Sequence, residues 1–242
     1  MTLTALAIAA AMVAPHAAPD TAPAGDRHVG RAIARHARDD LREMISGPAM
    51  LILGAGGVAA LAARPKDRDV TESFASSRAF ERALEPGNVI GDGYVQFAAA
   101  AGLWAAGHAT GHPRVSGTGA DLVEAQLLNG VFTQSLKYAV RRPRPDGGRN
   151  SFPSGHTSAM FASAAVIQHR FGWKTGIAAY AVGAYVGAAR LGERQHYLSD
   201  VVFGAALGAV SGRAVAVAHN SRARLIATPI PLRDGFAVVF IR

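Results

Sequence analysis

An all-α fold, a bundle of six helices, is what this chain predicts. Half of its 242 residues are apolar, yet aromatics make up only 7% and alanine supplies much of the remainder. Ala-rich apolar runs with few β-branched clusters favour closely packed helices over sheets. The runs fall at roughly 49–63, 94–110, 120–140, 156–171, 174–189 and 198–218. Breakers separate them: Pro65, Pro86-Gly87, His112-Pro113, the stretch from Pro143 to Pro153, Gly172 and Gly192.

The flanks differ from the bundle. An apolar run of about 13 residues opens the chain, and small residues follow it through Gly25, so 1–25 resembles a secretory signal. That run is short for a membrane span. Residues 26–46 are polar, with Leu41, Met44 and Ile45 at helical spacing. Segment 66–93 reads as a long polar connection holding a short helix near Phe80 to Leu84. In the tail, 221–242, Asp234-Gly235 precedes a β-favouring run, which predicts a small C-terminal β-hairpin. The chain thus divides into a signal-like segment (1–25), a helical domain (26–220) and a tail.

The formal net charge of +8 points to an anionic partner: a phosphorylated substrate, an acidic lipid headgroup or nucleic acid. The absence of cysteine excludes disulfides, thiolate catalysis and Cys-ligated zinc.

Three ordered blocks carry the chemistry. Lys137 ends the third helix and Arg144 follows in a loop stiffened by Pro143 and Pro145. Pro153-Ser154-Gly155-His156 opens the fourth helix, where free N–H groups and a serine hydroxyl suit an anion and Gly155 permits close approach. Arg190 ends the fifth helix, while His196 and Asp200 straddle the start of the sixth. Their spacing of four puts both on one face, so the carboxylate can hold one ring nitrogen and leave the other basic. Singly, each block has an ordinary structural explanation, such as a helix cap or a basic helix end. In an antiparallel bundle, however, the end of helix three, the start of four, the end of five and the start of six all meet. Three cations, two imidazoles, a carboxylate and a Ser-Gly turn, with no clustered acids to hold a metal, suit a dianionic oxyanion such as phosphate.

Lys-x6-Arg-Pro, Pro-Ser-Gly-His and Arg-x5-His-x3-Asp, in this order between Lys137 and Asp200, resemble the type 2 phosphatidic acid phosphatase (PAP2) superfamily. That group includes bacterial class A acid phosphatases and lipid phosphatases and shares its site with vanadium haloperoxidases. The helical layout is also similar to that family. The resemblance implies a metal- and cofactor-independent phosphatase in which His196 is the nucleophile, forming a phosphohistidine, and Asp200 orients it. His156 becomes general acid to the leaving alkoxide and then base for water. Lys137, Arg144, Arg190, Ser154 and the Gly155 amide hold the phosphoryl oxygens. Preorganised donors of this kind are each worth ~3 kcal/mol, and general acid assistance about 10²–10⁴-fold. One departure stands out: Ala189 replaces the serine usual before the third-block arginine.

The implied partner is a phosphorylated small molecule or a lipid phosphate. Vanadate chemistry of the haloperoxidase type is an alternative use of the same residues. A nucleic-acid module at Arg141 to Arg149 is another, disfavoured because that stretch lacks interleaved aromatics. Gly54-Ala55-Gly56-Gly57 imitates a dinucleotide fingerprint without its βαβ setting, so close helix packing is the better account. His108, His112 and His169 read as surface residues. Location follows from parity. If 1–25 is an export signal and three true spans follow, the Arg144 to His156 block returns to the cytoplasm. The expectation is therefore an exported, periplasmic bundle, soluble or peripherally membrane-associated, with an integral membrane protein as the alternative.

Overall fold

The computed structural model describes residues 24–76, 82–220, 226–232 and 235–241. The signal-like run up to residue 23, Asp234 in the expected tail turn, and Phe80 and Glu81 of the expected short helix lie outside them, while 82–84 are helical. The helices are α1 (Ala24–Met44), α2 (Gly47–Ala63), a 3₁₀ turn (Arg64–Lys66), α3 (Asp67–Ala75), α4 (Pro86–Ile90), α5 (Gly93–Ala109), α6 (Pro113–Val140), α7 (Gly155–Phe171), α8 (Trp173–Gly192) and α9 (Leu198–Asn220). Beyond them β1 (Ile226–Leu232) and β2 (Gly235–Ile241) pair antiparallel, Ile226 facing Ile241.

Six helices is therefore an undercount. The six apolar runs correspond to α2 and α5 to α9, and the chain adds α1, α3 and α4. The physical reason is clearest in α1. Its inward stripe is His36, Asp40 and Met44, all buried at four-residue spacing, while Arg35, Arg38 and Leu41 are exposed. A helix that buries polar groups leaves little hydrophobic period to read. α3 opens with Asp67 and Asp69, acids suited to a helix N-terminus. α6 starts two turns earlier than its apolar run, with Pro113 in the first turn, where a missing N–H costs nothing.

Backbones in the core nearly touch. Gly204, Gly208 and Gly212 recur every fourth residue on α9 and face α7. A Cβ at Gly208 would stand 2.0 Å from the Ser158 carbonyl oxygen, and one at Gly212 2.1 Å from that of Ala162. On α2, a Cβ at Gly56 would meet the Ala206 Cβ at 2.2 Å, so the glycine-rich run there serves close packing on α9. α6 joins α7 through polar bonds: Gln126 donates to the Ala159 carbonyl (2.9 Å) and Ser163 Oγ (2.8 Å), and Asn129 donates to Ser158 Oγ (3.1 Å).

This antiparallel order gives the bundle two functional ends. The C-terminal ends of α2, α6 and α8 share one end with the N-terminal ends of α5, α7 and α9. α1, the start of α6 and the finish of α9 share the other, where His36 stacks edge-on against His219. Between the ends the outer faces are apolar. Met50, Leu51, Val58 and Leu61 on α2, Leu127 and Val131 on α6, and Ile177 on α8 are exposed. Gly47–Ala75 and Leu198–His219 are long and apolar enough to cross a membrane, and only 11% of the first is buried against 56% of the second.

The glycine stripe gives a direct test. Gly208→Val should destabilise the fold by ~3 kcal/mol or more, because neither backbone can retreat. Gly54→Ala, with nothing within 4 Å of its Cβ position, should be neutral or stabilising by up to ~1 kcal/mol. Thermal melts of the two variants in detergent check both.

Candidate active site

Each block sits on a helix end, and the ends are locked together by the loops between them. α6 stops where Arg141 takes a left-handed conformation (φ 51°), its N–H returning to the Lys137 carbonyl. Lys137 is buried and donates to the Asn150 carbonyl (2.7 Å), leaving two of its three protons for a ligand. Arg144 lies in the next loop, half-buried; its guanidinium donates to the Arg149 carbonyl (3.0 Å) and to Gln195 Oε1. The first block thus touches the loop that carries the third.

Ser154 is fully buried at the start of α7; its N–H donates to the Asp200 carbonyl (3.0 Å) and its Oγ pairs with Thr157 Oγ1 (2.9 Å). That serine N–H is committed to α9, a tie between the second and third blocks. A Cβ on Gly155 would sit 3.7 Å from both Lys137 Cε and Thr133 Cγ2, so this backbone faces the lysine. His156 is half-buried, with Nε2 3.9 Å from Asp92 Oδ2. Asp92 caps α5 by accepting from the N–H groups of Tyr94 (2.9 Å) and Val95 (3.1 Å), so it is anchored.

Arg190 is buried at the end of α8. One terminal nitrogen donates to Asn88 Oδ1 (2.5 Å) and Glu193 Oε2 (2.6 Å), while its Nε is buried with no hydrogen-bond partner. His196 is 2% exposed in the loop before α9, with Nδ1 3.8 Å from Asp200 Oδ2. Burial pushes the His196 ring down to about 4; Lys137 and Arg144 act the same way and Asp200 opposes them. Asp200 has no exposed surface. Its Oδ1 accepts from Arg142 (2.7 Å), and its Oδ2 from Ser151 Oγ and the Tyr197 N–H (2.9 Å). All the residues singled out from the sequence therefore gather at one end of the bundle, within electrostatic reach of one another. The arrangement can bind an oxyanion and hold a neutral imidazole beside it.

Sequence reasoning missed several participants. Arg142 reads as a solvated neighbour of Arg141, yet it bridges Asp200 to Asp67 (2.7 Å), bonds Ser199 Oγ (2.7 Å) and stacks over Tyr197 at 4.2 Å. Asp67 also accepts from the Ser199 N–H (2.8 Å) and hydroxyl (2.7 Å), tying α3 to α9. Asn88, Asp92, Glu193 and Gln195 belong with them, all in segments read as connections. Only Arg142 carried a signal, its place just before the proline-bounded loop. Ala189 is 1% exposed, and a Cβ on Gly87 would come 2.8 Å from its own Cβ. A hydroxyl there would meet α4.

The family model for the PAP2 superfamily matches residues 146–224, a stretch that holds the second and third blocks. The chain is thus similar to that superfamily over these residues. It is similar to lipid A 1-phosphatases: 38% identical over 89 residues to that of Porphyromonas gingivalis, covering 35% of this chain and 20% of the relative. Against the Rhizobium johnstonii protein it is 32% identical over 114 residues, 39% of this chain and 45% of the relative. The chain thus spans less than half the length of either relative. Two crystal structures share the fold. Aquifex aeolicus LpxE superposes with a TM-score of 0.51 at 23% identity, covering 60% of this chain and 92% of that one. The transmembrane PAP2-type phosphatidylglycerolphosphate phosphatase of Bacillus subtilis gives 0.61 at 16% identity, covering 77% and 98%.

The Arg142 bridge makes a stability prediction. Arg142→Ala leaves two buried carboxylates without their cation, and should cost ~3–5 kcal/mol in chemical unfolding. Arg142→Lys should recover only part, since one ammonium cannot span both acids as the planar fork does.

Proposed function

We propose that this chain is a membrane-embedded PAP2-type phosphatase that hydrolyses lipid phosphomonoesters through a phosphohistidine, with residues 26–220 as its catalytic domain. One observation carries the reading. Lys137, Arg144 and Arg190 converge from three separate segments on a pair of histidines, and the Arg190 Nε–H is buried with no partner. Buried unspent donors beside a neutral imidazole fit a phosphoryl group whose oxygens would satisfy them. The relatives' names supply the substrate class: lipid A phosphate in the curated ones, phosphatidylglycerolphosphate in a structural neighbour.

In this reading His196 turns Nδ1 toward Asp200 and Nε2 toward phosphorus. Substrate binding closes the 3.8 Å gap to Asp200 to a charge-assisted hydrogen bond of about 2.7–2.9 Å. The Nε2–P bond forms as the P–O bond to the lipid breaks, and His156, which takes up a proton as the phosphate dianion binds, gives it to the departing alkoxide. The neutral His156 then takes a proton from water, whose oxygen attacks phosphorus as the N–P bond breaks, releasing inorganic phosphate. Lys137, Arg144, Arg190, Ser154 and the Gly155 N–H hold the equatorial oxygens, and Asp92 keeps His156 in place.

The exposed apolar faces of α2, α6 and α8 support an integral protein over an exported soluble bundle. Six crossings, α2 and α5 to α9, put residues 26–46 and the finish of α9 on one face and the site on the other. With the polar α1 inside, the site opens outward, to the periplasm, where a soluble bundle was expected to lie. Parity then argues against cleavage and export of the segment ahead of α2.

Purified protein should hydrolyse a chromogenic phosphomonoester and short-chain lipid phosphates in the presence of a chelator, and vanadate should inhibit it. His196→Ala should abolish turnover, and His156→Ala should slow poor leaving groups more than good ones. Equal losses on both would sink the acid role. Absence of turnover on every phosphorylated compound tried would sink the whole reading.

The low-lying His196 ring sets the pH profile. The nucleophile is neutral above its folded value and is lost only as pH falls through it. The acid limb of kcat/KM should therefore fall near pH 4, well below the ordinary histidine range. Retention in the membrane after a high-salt wash, with release by detergent, checks the placement.

A further inference from the structure

We propose that a divalent transition-metal ion binds between His36 of α1, Glu124 of α6 and His219 of α9, at the end of the bundle opposite the candidate active site. Each of these residues offers one ligand atom, and the three atoms lie within 4.8 Å of one another. An ion with bonds of about 2.0–2.2 Å in tetrahedral geometry separates its donors by ~3.3–3.6 Å, so small side-chain rotations suffice.

The surroundings of His219 point the same way. Its Nδ1 lies 2.7 Å from Asp121 Oδ1, and Asp121 is in turn gripped by Arg170, whose Nε donates at 2.6 Å. A carboxylate so fixed accepts the Nδ1 proton, and a metal ion on Nε2 would take the place of the second proton that Glu124 otherwise favours. That nitrogen stands 3.0 Å from Glu124 Oε2 without hydrogen-bond geometry. Two acceptors aimed at one point call for a cation between them. An imidazole whose far nitrogen is held by a carboxylate is the usual support of a metal-ligating histidine.

A proton on Nε2 would serve the Glu124 contact alone. It would not serve Asp40, one helical turn from His36 on the same face of α1. Asp40 is 2% exposed, it lies against Glu124, and its Oδ1 is buried with no partner. A water completing the metal's coordination would donate to that oxygen. Two imidazoles and a carboxylate, with no thiolate, select zinc or its neighbours over magnesium or calcium. The site would clamp the polar helix α1 to α6 and α9. It lies nineteen residues along α9 from Asp200, ~28 Å away, so it takes no part in phosphoryl transfer.

The experiment uses the untagged full chain in detergent, stripped with a chelator and dialysed. Loading with Zn²⁺ should leave one equivalent per chain by elemental analysis, and Co²⁺ should give the visible spectrum of a four-coordinate ion. Glu124→Gln and His36→Gln should abolish both signals while phosphatase turnover persists, and Asp121→Asn should weaken binding about 10–100-fold. Failure of the wild-type chain to retain stoichiometric metal overturns the proposal, as does retention undiminished in Glu124→Gln. Should that variant not fold, the wild-type chain decides: Zn²⁺ should raise its Tm, a chelator should reverse the rise, and Mg²⁺ should have no effect. An unchanged Tm with Zn²⁺ also overturns it.

Discussion

A carboxylate sealed from water is the constraint from which the rest of this structure follows. Asp200 has no exposed surface, and an isolated charge in that position would be intolerable. Arg142, Ser151 and the Tyr197 N–H satisfy it, and each arrives from a loop that would otherwise be free to wander. Holding Arg142 in place recruits Asp67, and Asp67 recruits Ser199. Satisfying one acid thus orders the connection after α2, the loop after α6 and the start of α9 together. The histidines rest on that framework and contribute little to it.

The division of labour is visible in what each cation touches. Arg142 is spent on structure: its contacts are two acids, a hydroxyl and an aromatic face. Lys137 and Arg190 are only partly engaged, and Arg190 keeps a buried donor in reserve. Burial, with the positive charge of Lys137 and Arg144 beside it, depresses the basicity of His196 and keeps that ring neutral. Electrostatics and architecture therefore act in the same direction.

Much of this was legible beforehand, for identifiable reasons. The three blocks lie at helix ends, and counting antiparallel segments is enough to bring Lys137, His156, Arg190 and His196 together. The apolar runs mark α2 and α5 to α9 because those helices bury or present hydrocarbon. α1 was not counted among the helices because most of its buried stripe, His36 and Asp40, is polar, and helical spacing shows only at its end, in Leu41, Met44 and Ile45. Arg142 and Asp67 are separated by most of the chain's first half, and a pair so distant leaves no local trace. His36, Glu124 and His219 are more scattered still. The expectation of a soluble or peripheral bundle rested on run length: α2 and α5, at 17 residues each, look short, and the sequence does not show that their outward faces are hydrocarbon.

The contact of α9 with α7 has a consequence for how such a protein can vary. Where main chain rests on main chain, the separation of two helices is set by atoms that every residue shares. His156 rides on the first turn of one helix and Asp200 on the first turn of the other. Their spacing is therefore insulated from drift among the outward-facing residues. A lineage could re-clothe the exterior almost completely and still inherit the same placement of those two side chains.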